Sequence, residues 1–197
     1  MKSAAKKSAE LATQQFKRPA DWEKWLAKHH AASPGLWLKL AKKDSEIQSI
    51  NYAEALDVAL CYGWIDGQKK GFDDSFWLQK FTPRGRKSIW SKINRAKALA
   101  FIKSGQMQPA GLRAVELAKK DGRWEAAYDS HTTSVVPADF QDALDHNPAA
   151  GAFFTTLNSG NRYAVLFRIQ TVKKAETRAR RIKQFIEMLA RHEKVHP

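Results

Sequence analysis

The stretch WIDGQKKGFDDSFWLQKFT, residues 64–82, constrains the fold more than any other part of the chain. Two runs rich in aromatic residues flank Asp73, Asp74 and Ser75, side chains that favour tight turns. This pattern predicts a β-hairpin over 64–82, ended by Pro83 and Gly85. Successive strand residues point to opposite faces, so Trp64, Asp66 and Gln68 share one face, and Trp77, Gln79 and Phe81 share one on the second strand. A two-residue turn at Asp73-Asp74 sets Gln68 opposite Gln79 and Asp66 opposite Phe81. Polar groups held among large rings have the composition of a ligand pocket. The competing reading is that the tryptophans are core and Asp66 pairs with a nearby arginine.

Helical patterns flank the hairpin. In ADWEKWLAKHH, Trp22, Trp25, Leu26 and His29 fall on one helix face, and SPG ends that helix. LWLKLAKK reads as a strand of four to six residues. Asn51 and Glu54 form a capping-box signature ahead of an apolar stripe of Ala55, Leu56, Ala59 and Leu60, with Gly63 as the C-terminal cap. After the hairpin, SIWSKINRAKALAFIKSG predicts a helix that puts Trp90, Asn94, Lys97 and Phe101 on one face, and PAGLRAVELAKKDG predicts another. A loop through YDSHTTSVVP leads to a last third that is helical throughout. Its final helix repeats Ile182, Phe185, Ile186 and Leu189, flanked by Arg178, Arg180, Arg181 and Lys183.

These elements predict an α+β protein: a small antiparallel sheet around the hairpin, packed on helices, with a C-terminal helical module. The predicted divisions are a flexible basic tail over 1–18, an α+β domain over 19–130 and the module over 137–194. Seven Trp and ten Phe supply much of the core.

The net charge of +14 is unevenly distributed. Residues 66–103 and 162–197 each carry 10 basic and 3 acidic side chains, whereas 104–161 carry 4 and 7. Such a field attracts anions, including nucleic acid and phosphorylated metabolites. The competing reading is a solvated surface that maintains solubility. One cysteine, Cys61, allows no internal disulfide and fits a reducing compartment. The N-terminal stretch lacks the apolar segment of a secretory signal, and no run is long enough to span a membrane. A soluble, cytoplasmic protein is expected.

The end of the chain, HEKVHP, matches H-E-x-x-H at His192, Glu193 and His196. Zinc catalysis needs both histidines on one stable helix face plus a third ligand. Here Pro197 follows at once, and the match is expected to be a charged tail, with no metal and no cofactor. Ser3 and Lys6 mimic S-x-x-K in the polar tail, and Cys61, in an apolar helix, reads as a small core residue. Walker A, G-x-G-x-x-G and G-x-S-x-G signatures are absent.

The expected working surface is therefore aromatic and basic. Trp64, Asp66, Gln68, Lys69, Trp77, Gln79, Arg84, Arg86, Trp90, Asn94 and Lys97 form the candidate ligand site, with Arg178 and Arg181 as a second basic patch. Asp66 and Gln68 would fix polar groups of a ligand, Trp77 and Trp90 would stack, and the arginines would meet anionic groups. Three readings follow: a non-enzymatic protein that binds an anionic small molecule or nucleic acid, an enzyme with Asp66 as general base, and a protein whose C-terminal helices dock a protein partner.

ALDVALCYGWIDGQKKGFDDSFWLQKFTPRGRKSIWSKINRAKA and NRYAVLFRIQTVKKAETRARRIKQFIEMLARHE, in that order, resemble the YdeI/OmpD-associated, or bacteriocin-protection, family. The resemblance spans roughly residues 11–194. It implies a link to bacteriocin or stress tolerance and to an outer-membrane porin, and it carries over no catalytic residue.

Overall fold

A computed structural model of the protein describes residues 10–197. Ser3 and Lys6 lie outside the described residues. Among those residues the chain forms eight helices and one four-stranded sheet, an α+β architecture. The elements in chain order are β1 (Thr13–Gln14), α1 (Pro19–His29), β2 (Leu36–Ala41), α2 (Tyr52–Cys61), β3 (Trp64–Gly71), β4 (Phe76–Pro83), α3 (Lys92–Lys103) and α4 (Pro109–Lys120). The last four are α5 (Ala138–Asp145), α6 (Pro148–Thr156), α7 (Ser159–Gln170) and α8 (Ala175–Ala190).

The chain divides into two compact units. Among the described residues, one comprises 10–88 and 96–122, the other 89–95 and 123–197. The hairpin expected at 64–82 is β3 and β4, and the strand order is β1-β2-β4-β3. Three strands are antiparallel neighbours, as the sequence suggests. The sheet is nevertheless mixed, because β1, from a segment read as polar tail, pairs parallel to β2 through Thr13↔Trp37 and Gln14↔Leu38.

Directly paired residues share a face, so the register sorts the sheet. Leu36, Leu38 and Leu40 lie with Phe81, Gln79 and Trp77 on one side. Helix α1 packs on that side: Trp22 is 5.8 Å from Phe81 and 6.2 Å from Trp64, ring centre to ring centre. Helix α2 starts from the expected capping box. Asn51 Oδ1 accepts from the Glu54 N–H, and Glu54 Oε2 accepts from the Asn51 N–H. It ends at Gly63, whose φ of +71° and close approach to the Ala110 carbonyl both exclude a side chain. Trp37, Lys39 and Ala41 face the opposite side with Lys80, Leu78 and Phe76.

The second unit has its own core. Phe140, Leu144, Phe154, Val165, Ile169, Ile182, Phe185 and Leu189 from α5 to α8 form one buried cluster, which includes three of the four stripe residues expected on the last helix. Asn147 and Asn158 cap α6 and α7 through their side-chain oxygens.

An aromatic and basic hairpin as the candidate functional site

The hairpin register differs from the sequence expectation at one point. Asp66 lies opposite Phe81 as expected, but Gln79 lies opposite Lys69, not Gln68. Gly67 and Gln68 bulge out against the single residue Lys80. The physical reason is the Gln79 amide. It is buried, and its Nε2 donates to the carbonyls of Gly67 at 3.0 Å, Gln68 at 3.2 Å and Lys80 at 3.3 Å. Gln79 thus fills and fixes the bulge from inside. Beyond it Lys69, Gly71 and Trp77 share the helix-side face.

This end of the hairpin forms a cleft of about 380 Å³ lined by Lys69, Lys70, Gly71 and Trp77. Trp77 is half-buried and lies 6.2 Å from the Tyr52 ring at the start of α2. The Tyr52 hydroxyl donates to Asp66 Oδ2 at 2.9 Å, so Asp66 is held at the rim by a phenol. Gly71 lies directly across from Trp77, and a methyl group built on it would meet nothing within 4 Å. Among the described residues Lys69 makes no ion pair.

The other face of the same strands is also aromatic and basic. Lys70 Nζ lies 4.5 Å from the centre of the Trp37 ring, so its chain crosses over β4 and covers Leu78, which is 2% exposed. Lys39 Nζ sits 4.0 Å from the Phe76 ring, 4.5 Å from the Phe72 ring and 3.7 Å from Asp73 Oδ2. At exposed sites a cation over a ring contributes about 0.5–1 kcal/mol, so such lids are readily lifted. Sequence reasoning missed Trp37, Lys39, Lys70, Lys80, Tyr52 and Gly71 as site residues. The signal was present for the first two, since alternation in LWLKLA separates the leucines from Trp37 and Lys39.

The remaining candidates have structural partners or lie elsewhere. Trp64 is buried, donates from Nε1 to the His30 carbonyl at 3.2 Å and meets Trp25 edge to face at 5.9 Å. Gln68 is exposed in the bulge. Trp90 precedes α3 and is buried 4.9 Å from Trp124 in the second unit. Asn94 is buried in the first turn of α3, where its N–H donates to the capping Ser91 hydroxyl. Lys97 is ion-paired with Asp57 of α2 at 2.5 Å. Arg86 is exposed in the loop after β4, and the Arg84 N–H donates to the Gly63 carbonyl at 2.9 Å. Arg178 binds Asp139 through two nitrogens, at 2.6 and 2.8 Å, and the Ile169 carbonyl at 2.8 Å, so it ties α8 to α5 and α7. That hydrogen bond holds the Asp139 carboxyl below the usual aspartate range. Arg181, on the same helix, is half-buried.

A further concavity of about 660 Å³ lies between α5 and α8 over Ala143, Ala175, Ala179, Ile182 and Ile186. Its floor is apolar, Arg178 and Asp139 on its rim neutralise each other, Lys183 and Glu187 also line it, and among the described residues no Trp, Tyr or Phe is part of it, unlike the hairpin cleft with its Trp77.

Burial pushes the Cys61 thiol up to about 11, and the charges of Glu23 and Asp57 add to the effect, so it stays protonated and unreactive at neutral pH. The H-E-x-x-H match does not lie on a helix. Helix α8 ends at Ala190, and His192 turns the chain away with a φ of +57° and stacks on Phe153 at 4.9 Å. The main chain of His196 is held by the buried Asn161, whose Oδ1 accepts from its N–H at 2.8 Å. The two histidines therefore lack the shared helix face that zinc chemistry requires. Among the described residues no helix is long and apolar enough to cross a membrane.

Comparison with known proteins adds family, not chemistry. No curated protein and no solved structure matches the chain. Residues 14–114, which include the whole sheet and hairpin from Gln14 onward, match the model of a domain of unknown function (DUF8412). Residues 133–192, which span α5 to α8, match the model described as bacteriocin-protection, YdeI or OmpD-associated. The first match covers just over half of the chain, so the protein belongs to the DUF8412 family and carries a C-terminal domain of the bacteriocin-protection, YdeI or OmpD-associated family.

Proposed function

We propose that the protein is a cytoplasmic, non-enzymatic binding protein that takes an anionic ligand bearing a flat ring at the cleft of Trp77, Lys69 and Gly71. The observation that carries this reading is the pairing of Gly71 with Trp77 across the hairpin. The missing side chain leaves space beside the indole, next to the Lys69 ammonium. An apolar wall with one or two fixed charges suits a ligand with a ring and a phosphate or carboxylate. Asp66 and the oxygen of the Tyr52 hydroxyl, whose proton Asp66 accepts, supply acceptors at the rim for the ligand's polar edge. The single cysteine, buried as a thiol, fits a reducing compartment. We connect this binding to bacteriocin or stress tolerance; the description of the C-terminal domain's family, bacteriocin-protection, is what suggests the first of these.

The test uses two probes, adenosine monophosphate and inorganic phosphate, followed by tryptophan fluorescence. The nucleotide offers ring and charge, the phosphate charge alone. Binding of the nucleotide that Gly71→Val abolishes is expected, because valine suits a strand and fills the space without altering any charge. A response equal for both probes, or unchanged in Gly71→Val, would refute the cleft.

A further inference from the structure

The side of the same sheet turned away from α1 extends the site in a particular direction. Lys70 on β3, Leu78 on β4 and Lys39 on β2 form one row across three strands. Trp37 and Lys80 form the next row on that face. Neighbouring strands are roughly 4.8 Å apart, so the first row is a path of roughly 10 Å over Leu78 and the second one of roughly 5 Å. Strand β3 is an edge strand; Lys69 and Lys70 both line the cleft, but as successive strand residues they point to opposite faces, and Lys70 also belongs to the row. A ligand seated in the cleft can therefore pass round this edge onto the face of the row.

We propose that the ligand is single-stranded nucleic acid, which crosses the face carrying Trp37, Lys70 and Lys80 with one base stacked on Trp37. This rests on the reading of the hairpin as an anion-binding surface. Three features favour it over a protein partner. The face alternates rings with lysines, and a strand whose bases alternate with phosphates matches both groups. Lys69, Lys70 and Lys80 make no ion pair among the described residues, so their charges are available to phosphates. Lys70 already rests on the Trp37 ring, so a base that displaces it gains the ring while the freed ammonium reaches the adjoining phosphate. A duplex cannot use the ring in this way, since its bases are already stacked on each other. Phe72, 52% exposed beside the turn, offers a second ring at the end of the row.

Fluorescence anisotropy with a labelled 12-nucleotide oligothymidine tests this against the 12-base-pair duplex. The single strand should bind the more tightly of the two and persist at physiological salt. Its salt dependence, log K against log salt, should have a slope of roughly −2 for three phosphate contacts. The double variant Lys70→Gln/Lys80→Gln should bring the slope to roughly −0.7. Trp37→Leu should weaken binding by roughly 5- to 150-fold, the range for loss of one stacked base. Because Trp37 also packs on the sheet, circular dichroism accompanies that variant, and the lysine variant decides the outcome if the leucine chain does not fold. Preference for the duplex, binding abolished by modest salt, or a slope unchanged in the lysine variant would overturn the proposal. If the oligonucleotide fails while adenosine monophosphate still binds in the cleft, the Trp37 face is wrong and the cleft stands. If both fail, both readings fall.

Discussion

Replacing Gln79 with leucine tests the physical basis of the site, since the Gln79 amide is what holds the β3 bulge. The two side chains are similar in length, so packing changes little and the lost amide dominates. The amide is buried and donates to the carbonyls of Gly67, Gln68 and Lys80. A buried acceptor left without a partner costs about 1–3 kcal/mol. Gly67 and Gln68 are exposed residues, so water can reach part of what the amide leaves behind. That discount puts Gln79→Leu near about 1–2 kcal/mol, below the sum for separate buried carbonyls. For a chain of 197 residues this corresponds to a fall in Tm of about 2–8 °C. Because the chain has two units, a single melting curve mixes their unfolding, so amide hydrogen exchange over residues 64–83 is the decisive assay. Exchange should quicken by roughly 5- to 30-fold along β3 beyond the bulge and stay unchanged in α5 to α8. Exchange in β3 identical to that of the unaltered protein would refute the reasoning and would mean that turn geometry alone sets the bulge.

Two further perturbations probe the two units separately. At Gly111 in α4 an added Cβ would collide with the Cys61 carbonyl oxygen and the Met107 sulfur, so Gly111→Ala should destabilise the first unit by about 1–3 kcal/mol in urea unfolding despite alanine's better helix propensity; equal or greater stability would show that α2 and α4 can separate freely. Asp129 lies in a loop of the second unit; burial alone would raise its pKa, but hydrogen bonds from Lys92 and Gln170 and the Lys92 charge outweigh it and hold the carboxyl below its usual 3.8. Its contribution is therefore fully present above 3.8 and lost as pH falls through the lower folded value, so the stability gap between the unaltered protein and Asp129→Asn should be open at pH 7 and narrow as the pH is taken below 3.8; a gap constant with pH would refute the assignment.

Which parts of this protein were legible in its sequence follows from the range of the interactions involved. The capping box at Asn51 and Glu54, the proline and glycine helix ends and the two-residue periodicity of the hairpin are set within a few residues, and they appear in the structure where the pattern puts them. The bulge was not legible, because it depends on a glutamine from the neighbouring strand reaching back to two carbonyls, and alternation carries no record of an extra residue. Strand β1 was hidden for a related reason: two residues of a polar segment pair with β2 through main-chain bonds, which need no apolar signature. Helical periodicity grouped Trp90 and Asn94 with Lys97, yet Trp90 lies before α3 begins, where that spacing no longer applies. Charge was the weakest guide. Counting put equal excess on the hairpin region and on the last helices, but Arg178 is consumed by Asp139 and a carbonyl, whereas Lys69, Lys70 and Lys80 are not paired among the described residues. Net charge therefore located two candidate surfaces, and only the pairing of individual side chains separates a cation that holds two helices together from one that is free to meet a ligand.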